Sequence, residues 1–443
     1  MALVISDLSK YIIAVIGIIY TCECFATFRY GNEDDRGGIY MRQIIWMFLV
    51  HFIGFAAICL ETGEVSYIFF YGFQQIMMFA TITLYHVLYP EANRLIINNM
   101  CFLLSVGFII LTRLNYDKAV RQFKIVAISL LVGLFVPFFV KKLRFLKHLT
   151  WIYGIVGIVA LAVVYIFSTV TYGSKISYSV FGYTFQPSEF VKIVFVFFVA
   201  GMLTISKDFF QIVITSVAAA IHVIILVLSR DLGSALIFFV TYVVMVFIAT
   251  HNYLYLFLGN AAGAVAAMVA YKLFSHVRVR VLAWRDPFSY IDSSGYQISQ
   301  SLFAIGTGGW FGMGLCQGDP KAIPFVEEDF VFSAIAEEMG VIFALCLILI
   351  CVSCFMMFMN ISMRIKEEFY RYIAVGLSIL YIFQIFLTIG GGTRFIPLTG
   401  VTLPLVSYGG SSVLTTIIMF SIIQGLFGIQ SIEGKKRVQK KEE

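Results

Sequence analysis

The chain has 443 residues, of which 60% are hydrophobic and 13% charged, and its mean hydropathy is +0.92. Soluble domains carry about a quarter charged residues, and 45 Phe and 24 Tyr cannot be hidden in one or two aqueous cores, so a water-soluble globule is excluded and the bilayer must serve as solvent for most of the chain. Eight Pro among near-continuous apolar blocks exclude a disordered polymer, and a dispersed net charge of +6 gives no footing for nucleic-acid binding.

Apolar runs long enough for the roughly 20 residues of a spanning helix recur thirteen times, near 11–28, 44–62, 66–88, 97–113, 122–140, 149–168, 188–205, 209–228, 232–250, 253–274, 330–359, 369–390 and 411–430. The first lacks a small-residue cleavage site and is followed by twelve more, so it is expected to be a retained helix rather than a signal peptide. Cys22, Cys24, Cys59, Cys346, Cys351 and Cys354 fall inside these runs and Cys101 at the edge of one, which favours packing thiols over metal or disulfide sites.

Lys435, Lys436, Arg437, Lys440 and Lys441 follow the last run and place the C-terminus in the cytoplasm. Thirteen crossings then put the N-terminus outside. On this topology Lys141, Lys142, Arg144 and Lys147 face inward, as do Arg364, Lys366 and Arg371, whereas Arg113, Lys118, Arg121 and Lys124 face outward against the rule. The last three crossings alone make segment 275–329 extracytoplasmic. A loop of that length in a compact protein is functional or disordered. Trp284, Phe288, Tyr290, Tyr296, Phe303, Trp310 and Phe311, interleaved with Gly and charges, argue for short helices at the membrane surface. A second irregular stretch, from Gly390 to Ser412, holds Pro397 and Pro404 among many glycines. Irregular backbone at membrane depth needs protein or a water-filled cavity around it, so the two stretches are expected to wall one outward-facing cleft.

Charges at or inside spans are functional candidates by default, and five places hold them. In Gln186-Pro187-Ser188-Glu189-Phe190-Val191-Lys192, Pro187 opens a helix and Glu189 and Lys192 share a face at i,i+3. They form either an internal ion pair or, with Lys192 as a fixed cation, part of an anionic substrate site. Arg230-Asp231-Leu232-Gly233-Ser234 puts Asp231 where it can cap the next helix. Trp284-Arg285-Asp286-Pro287, with Gly295-Tyr296-Gln297 after it, reads as a surface turn and interfacial helix or as part of a site. Pro324-Phe325-Val326-Glu327-Glu328-Asp329-Phe330 precedes Ala336-Glu337-Glu338-Met339-Gly340. Its three acids favour a helix N-terminus, while Asp329, nearest the membrane boundary, is the one whose desolvation would raise its pKa toward that of a general base. Gly390-Gly391-Gly392-Thr393-Arg394, running on through Pro404 to Ser407-Tyr408-Gly409-Gly410-Ser411-Ser412, could offer backbone N–H groups and Arg394 to a phosphate or use its glycines for close helix approach.

From about residue 96 to 430 these segments resemble, in order and spacing, the SEDS family (shape, elongation, division and sporulation), the RodA/FtsW-type cell-wall polymerases of bacteria. The resemblance rests on Phe185-Gln186-Pro187-Ser188-Glu189, Asp231-Leu232-Gly233, Asp286-Pro287, Gly295-Tyr296-Gln297, Asp329-Phe330, Glu337-Glu338-Met339-Gly340 and Leu403-Pro404 leading to Ser407-Tyr408-Gly409-Gly410-Ser411-Ser412. It implies an all-α polytopic membrane protein with a ten-helix core in runs four to thirteen, preceded by a three-helix extension over 1–95 and followed by a basic tail over 431–443. It implies an inverting peptidoglycan glycosyltransferase that polymerises lipid II, the undecaprenyl-pyrophosphate disaccharide pentapeptide, at the outer face of the bacterial cytoplasmic membrane, with a class B penicillin-binding protein as partner.

In that reading Asp329 is the base for the acceptor hydroxyl. The leaving pyrophosphate is met by Arg394, Lys192, Arg285, Arg278 and Arg280, with Glu189, Ser407 and Ser411 beside the substrate. Gln186, Pro187, Asp231, Pro404, Gly409 and Gly410 shape the motifs. No metal site is built by the six His, and a divalent cation such as Mg or Mn would come with the substrate pyrophosphate. Two departures stand out. Gly173-Ser174-Lys175-Ile176-Ser177 lacks a tryptophan that many members carry there, with Tyr178 as candidate for its packing role, and Thr393-Arg394 stands where division-type members often have an uncharged pair. A lipid II flippase would use the same intramembrane charges. A secondary transporter would show inverted repeats, of which the chain has no convincing trace.

Overall fold

The computed structural model describes residues 2–30, 33–142, 144–168, 177–180 and 183–442. Fifteen α-helices account for nearly all of it, and thirteen are long and apolar enough to cross a membrane. These are α1 (Ala2–Ala26), α2 (Glu33–Thr62), α3 (Val65–Leu88), α4 (Arg94–Leu114), α5 (Tyr116–Lys142), α6 (Thr150–Phe167), α7 (Pro187–Ile205), α8 (Phe209–Leu228), α9 (Leu232–Thr250), α10 (Tyr253–Leu273), α13 (Val331–Arg364), α14 (Glu368–Gly392) and α15 (Gly410–Glu442). Each coincides with one of the thirteen apolar runs, because in hydrocarbon only a helix satisfies every backbone group within one segment. Between α10 and α13 lie α11 (Ser275–Arg285) and α12 (Tyr296–Gly308), the short surface helices expected there. A two-stranded hairpin, β1 (Tyr178–Val180) and β2 (Tyr183–Phe185), pairs Tyr178 with Phe185 and is an addition to the all-helical expectation. Tyr178 donates its hydroxyl to the Val163 carbonyl at 2.9 Å. Residues 173–176 of the departing motif lie outside the described residues.

Some span starts are capped by their own sequence. Asn93 accepts from Ile96 N–H at the head of α4, Asn115 from Lys118 N–H at the head of α5, and Asp231 from Ser234 N–H at the head of α9. Each satisfies a donor that the first turn leaves without an intrahelical partner.

The chain divides into two compact units. One comprises Met1–Leu131, Arg280–Met356 and Ile385–Gly409, the other Val132–Val279, Met357–Gln384 and Gly410–Glu443. In the first, α4 is buried from Leu95 to Thr112, with α2 and α3 packed on it. Polar side chains pin the N-terminal helices there. Tyr20 donates to Asn99 Oδ1 at 3.0 Å, Asn99 donates to Ser353 Oγ at 2.8 Å, and Asn98 donates to Gln43 Oε1 at 3.0 Å. In the second unit α10 buries no residue. It meets α9 at Gly259 and Gly263, where a side chain would run into Val243 and Phe239.

Two of the thirteen runs differ in detail from continuous helices with irregular flanks. The eleventh is interrupted at Gly340, whose φ of 86° and ψ of 159° only glycine adopts readily. The carbonyls freed by the break accept from a loop lying against it: Met313 N–H donates to Glu337 O and Gly314 N–H to Glu338 O, while Val341 and Ile342 donate to Gly309 O and Trp310 O. A Cβ at Gly340 would collide with the backbone of Phe311 and Gly312. The second difference is that Gly390, Gly391 and Gly392 are the last turn of α14, so their N–H groups serve the helix instead of an open phosphate cradle. Their lack of side chains brings Ile396 and Leu398 against the helix end, the close-approach alternative for this segment.

Candidate functional site

The first unit gathers the loop acids with both irregular stretches. Arg280 on α11 donates to the carbonyls of Leu398 and Thr399 at 3.2 and 3.0 Å. Trp284 Nε1 donates to Arg394 O at 3.1 Å, and Arg394 donates in return to Trp284 O at 3.0 Å and Arg285 O at 2.7 Å. Ser301 Oγ donates to Gly392 O at 2.7 Å, and Tyr408 N–H donates to Glu327 O at 2.7 Å. The two stretches therefore lie against each other and form one wall. Arg394 itself has a positive φ of 61° and uses its guanidinium to hold the C-terminal end of α11.

Asp329 sits in this wall, two residues before α13 begins. Its side chain is half-buried, and among the described residues no hydrogen bond reaches its carboxylate. A Cβ placed on Gly400 would lie 3.8 Å from both Asp329 Oδ2 and Arg280 Nη2, so acid and guanidinium both border this bare backbone position. Burial pushes the Asp329 carboxyl up to about 6, the charge of Glu328 adds to the rise, and Arg280 opposes it. Both acids beside it are paired: Lys118 on α5 lies 3.5 Å from Glu327 Oε1 and 3.6 Å from Glu328 Oε1, with its ammonium 5.3 Å above the Tyr408 ring. Burial raises the Glu328 carboxyl too, with Lys118 pulling it back.

Lys118 is a residue that sequence reasoning passed over. It and Arg113 counted only as basic residues on the wrong side of the membrane, yet Arg113 donates to Glu338 Oε1 at 2.9 Å and to Gly318 O at 3.1 Å. Both cations offset acids of the loop and the broken helix. The signal that could have found them was the matching surplus of acids at 327–338. Gln122 was also missed. It donates to Ser407 O at 3.1 Å and accepts from Gly409 N–H at 3.3 Å, holding the turn around Pro404. Within that turn the buried Ser407 hydroxyl accepts from Leu403 N–H at 2.9 Å. At Gly107 of α4 any side chain would strike the Leu405 and Val406 carbonyls at about 2.9 Å.

The second unit collects the other motif residues into a closed network. Gln186 donates to Asp231 Oδ2 at 3.2 Å and to Ser188 Oγ at 3.0 Å, and Ser188 donates to Asp231 Oδ2 at 3.1 Å. Gln186 N–H donates to Ser411 Oγ at 2.9 Å near the start of α15, whose first residue is Gly410. Lys192 is paired with Glu189 and donates to Gln384 Oε1 at 2.8 Å, while Thr415 donates to Glu189 Oε2 at 3.2 Å. Lys192 and Glu189 are only 4% and 8% exposed. Of the two readings of this pair, the geometry is that of the internal ion pair, and Ser411 is a structural acceptor.

The remaining sequence candidates are on α11. Arg278 and Arg285 are exposed, and a separation of seven residues puts them two turns apart on one face. Beyond α11, Asp286 caps the following turn by accepting from Ser289 N–H and Oγ, bonds that hold its carboxyl below the usual range.

The sequence model of the FtsW/RodA/SpoVE family of cell cycle proteins matches residues 93–428, from the cap of α4 into α15. The peptidoglycan glycosyltransferase RodA of Mycobacterium bovis is 31% identical over 363 residues, covering 75% of this chain and 77% of that protein. The probable peptidoglycan glycosyltransferase FtsW of Aliivibrio salmonicida is 33% identical over 256 residues, or 54% of this chain and 63% of that one. In fold, a chain from a peptidoglycan synthase complex that coordinates polymerization and crosslinking superposes with a TM-score of 0.66 at 23% identity, covering 76% of this chain and 98% of the other.

Proposed function

The chain belongs to the FtsW/RodA/SpoVE family and is a peptidoglycan glycosyltransferase, and from that premise we propose that it polymerises lipid II with Asp329 as the catalytic base. The acceptor sugar hydroxyl must lose its proton as its oxygen bonds to the donor's anomeric carbon, while the bond from that carbon to the pyrophosphate oxygen breaks and the lipid pyrophosphate departs with the electron pair. A group that takes this proton needs an accessible carboxylate, no competing donor and a pKa near the working pH. The observation that carries the reading is that Asp329 alone among the three loop acids combines these: among the described residues no hydrogen bond reaches it, burial pushes its pKa up to about 6, and both neighbouring acids are paired with Lys118.

The charge on the leaving group falls to the exposed cations of α11, Arg285 and Arg278, because Arg280 and Arg394 already serve backbone carbonyls. Glu189, Lys192, Ser407 and Ser411 act here as positioning residues through the networks they close. Among the described residues no three His, Cys, Asp or Glu side chains gather into a ligand group, so a divalent cation in this reaction would be held by the substrate's phosphates and brought with it.

The basic residues beyond Ile432 support a cytoplasmic C-terminus, and in this reading the Asp329 wall faces outward, where the growing glycan must emerge. A strand so made needs cross-linking, and a class B penicillin-binding protein is the partner that would supply it. The test is a polymerisation assay on the purified full-length chain with that transpeptidase. Asp329→Ala and Asp329→Asn should abolish glycan strands at unchanged expression. Normal strands from either variant would overturn the assignment, and lipid translocation surviving both substitutions would favour a flippase.

A further inference from the structure

Where the N-terminal helices meet the start of the matched core, α2, α3 and α4 border a cavity away from the loop acids. It lies among the first turns of α2, the last turns of α3 and the first turns of α4, and has a volume of about 270 Å³. Tyr40, Met41, Ile44, Phe79, Ile82 and Ile97 are among its walls. Asn98 is the one amide among its lining residues, and it already donates to Tyr40 O and Gln43 Oε1. The interior thus offers hydrocarbon and aromatic contact and little to orient a polar molecule.

The rim is different. His86, in the last turn of α3, and Arg94, the first residue of α4, both line the cavity and are both exposed. Arg94 Nη2 and His86 Nε2 are 3.5 Å apart, and among the described residues neither is paired with a carboxylate. A guanidinium fork and an imidazole converging on one spot bind a phosphate oxygen better than they bind each other. The three helix ends with Tyr85 and Tyr89 beside them have the makeup of a membrane–water boundary, where aromatic rings collect and where lipid phosphates lie.

We propose that this cavity is a lipid site, holding one acyl chain of an anionic glycerophospholipid with its phosphodiester on Arg94 and His86. Apolar walls select a chain over a soluble metabolite, and the cationic rim selects an anionic headgroup over a zwitterionic one. The bound lipid would fill the gap between the N-terminal helices and α4 and so fasten them to the core.

Native mass spectrometry of the full-length protein in mild detergent, given phosphatidylglycerol, phosphatidylcholine or a polyprenyl phosphate at equal concentration, tests this. One phosphatidylglycerol should be retained per chain in preference to the other two. Arg94→Gln should lower that retention about fivefold, the worth of one cationic contact to an anionic lipid, whereas Arg94→Lys keeps most of it. Thr83→Trp, at an exposed position lining the cavity, should remove it by filling the space. Equal retention in Arg94→Gln and the unaltered protein, equal retention of phosphatidylcholine, or preference for the polyprenyl phosphate would each overturn the proposal. If Thr83→Trp does not fold, Arg94→Gln against Arg94→Lys decides alone.

Discussion

Two regions of this protein place charged side chains at the ends of spans, and they do so to opposite effect. Around Glu189, Lys192 and Asp231 each of the three charges is matched: the ammonium has a carboxylate and an amide, and both carboxylates have donors. Around Asp329 the matching stops one group short, since Lys118 serves Glu327 and Glu328 and the third acid has no hydrogen-bond donor among the described residues. A charge in a membrane protein is expensive in either setting. The closed network offsets that cost with its own contacts, whereas the open carboxylate has the geometry that the proposed role of base requires. What marks a reacting group is therefore the missing partner, more than the depth or the charge.

The largest expected effect breaks the comparison on its open side. Loss of the proposed base in Asp329→Ala should reduce strand synthesis about 10²–10⁴-fold with little change in melting temperature, because among the described residues no hydrogen bond to this carboxylate is lost. On the closed side, Lys192→Met strands a buried Glu189 and should cost about 3–5 kcal/mol, seen as a lower midpoint in a thermal melt of the detergent-solubilised protein. Adding Glu189→Gln should restore much of that stability. A double variant that melts normally but has lost substrate affinity would show that Lys192 also binds substrate, and the contrast between the regions would fail.

A smaller effect is expected at the break in α13. Gly340→Ala forces a side chain into a glycine-only conformation and should cost about 1–3 kcal/mol, read in the same melt. The smallest is a shift in pH dependence. Asp329 accepts a proton only when ionised, so activity should fall as pH drops through about 6. Lys118→Met removes the cation that offsets Glu327 and Glu328, their negative charge disfavours ionisation of Asp329 more strongly, and the midpoint of the pH–rate profile should move upward. A downward or absent shift would mean that Lys118 does not govern the neighbourhood of the base.

Length, hydropathy and the positions of polar breaks were sufficient for the thirteen spans and for the two short helices of the long loop, because in a bilayer each span must satisfy its own backbone and cannot lean on distant partners. Local chemistry likewise made Asp231 legible as a cap and Asp329 as the acid at the membrane boundary. Other features depended on residues far apart in the chain. Nothing near Lys118 or Arg113 announces that they pair with acids more than two hundred positions away, and nothing near Gly390 distinguishes a phosphate cradle from the last turn of α14. The i,i+3 spacing of Glu189 and Lys192 allowed both an ion pair and a substrate cation, and only Gln384 and Thr415, brought in from α14 and α15, closed the pair. Which segments enter the membrane, and which residue types stand at their ends, can be read along the chain alone. The tertiary structure decided which of those charges are matched, since pairing is a property of the space between helices and hydropathy along the chain carries no record of it.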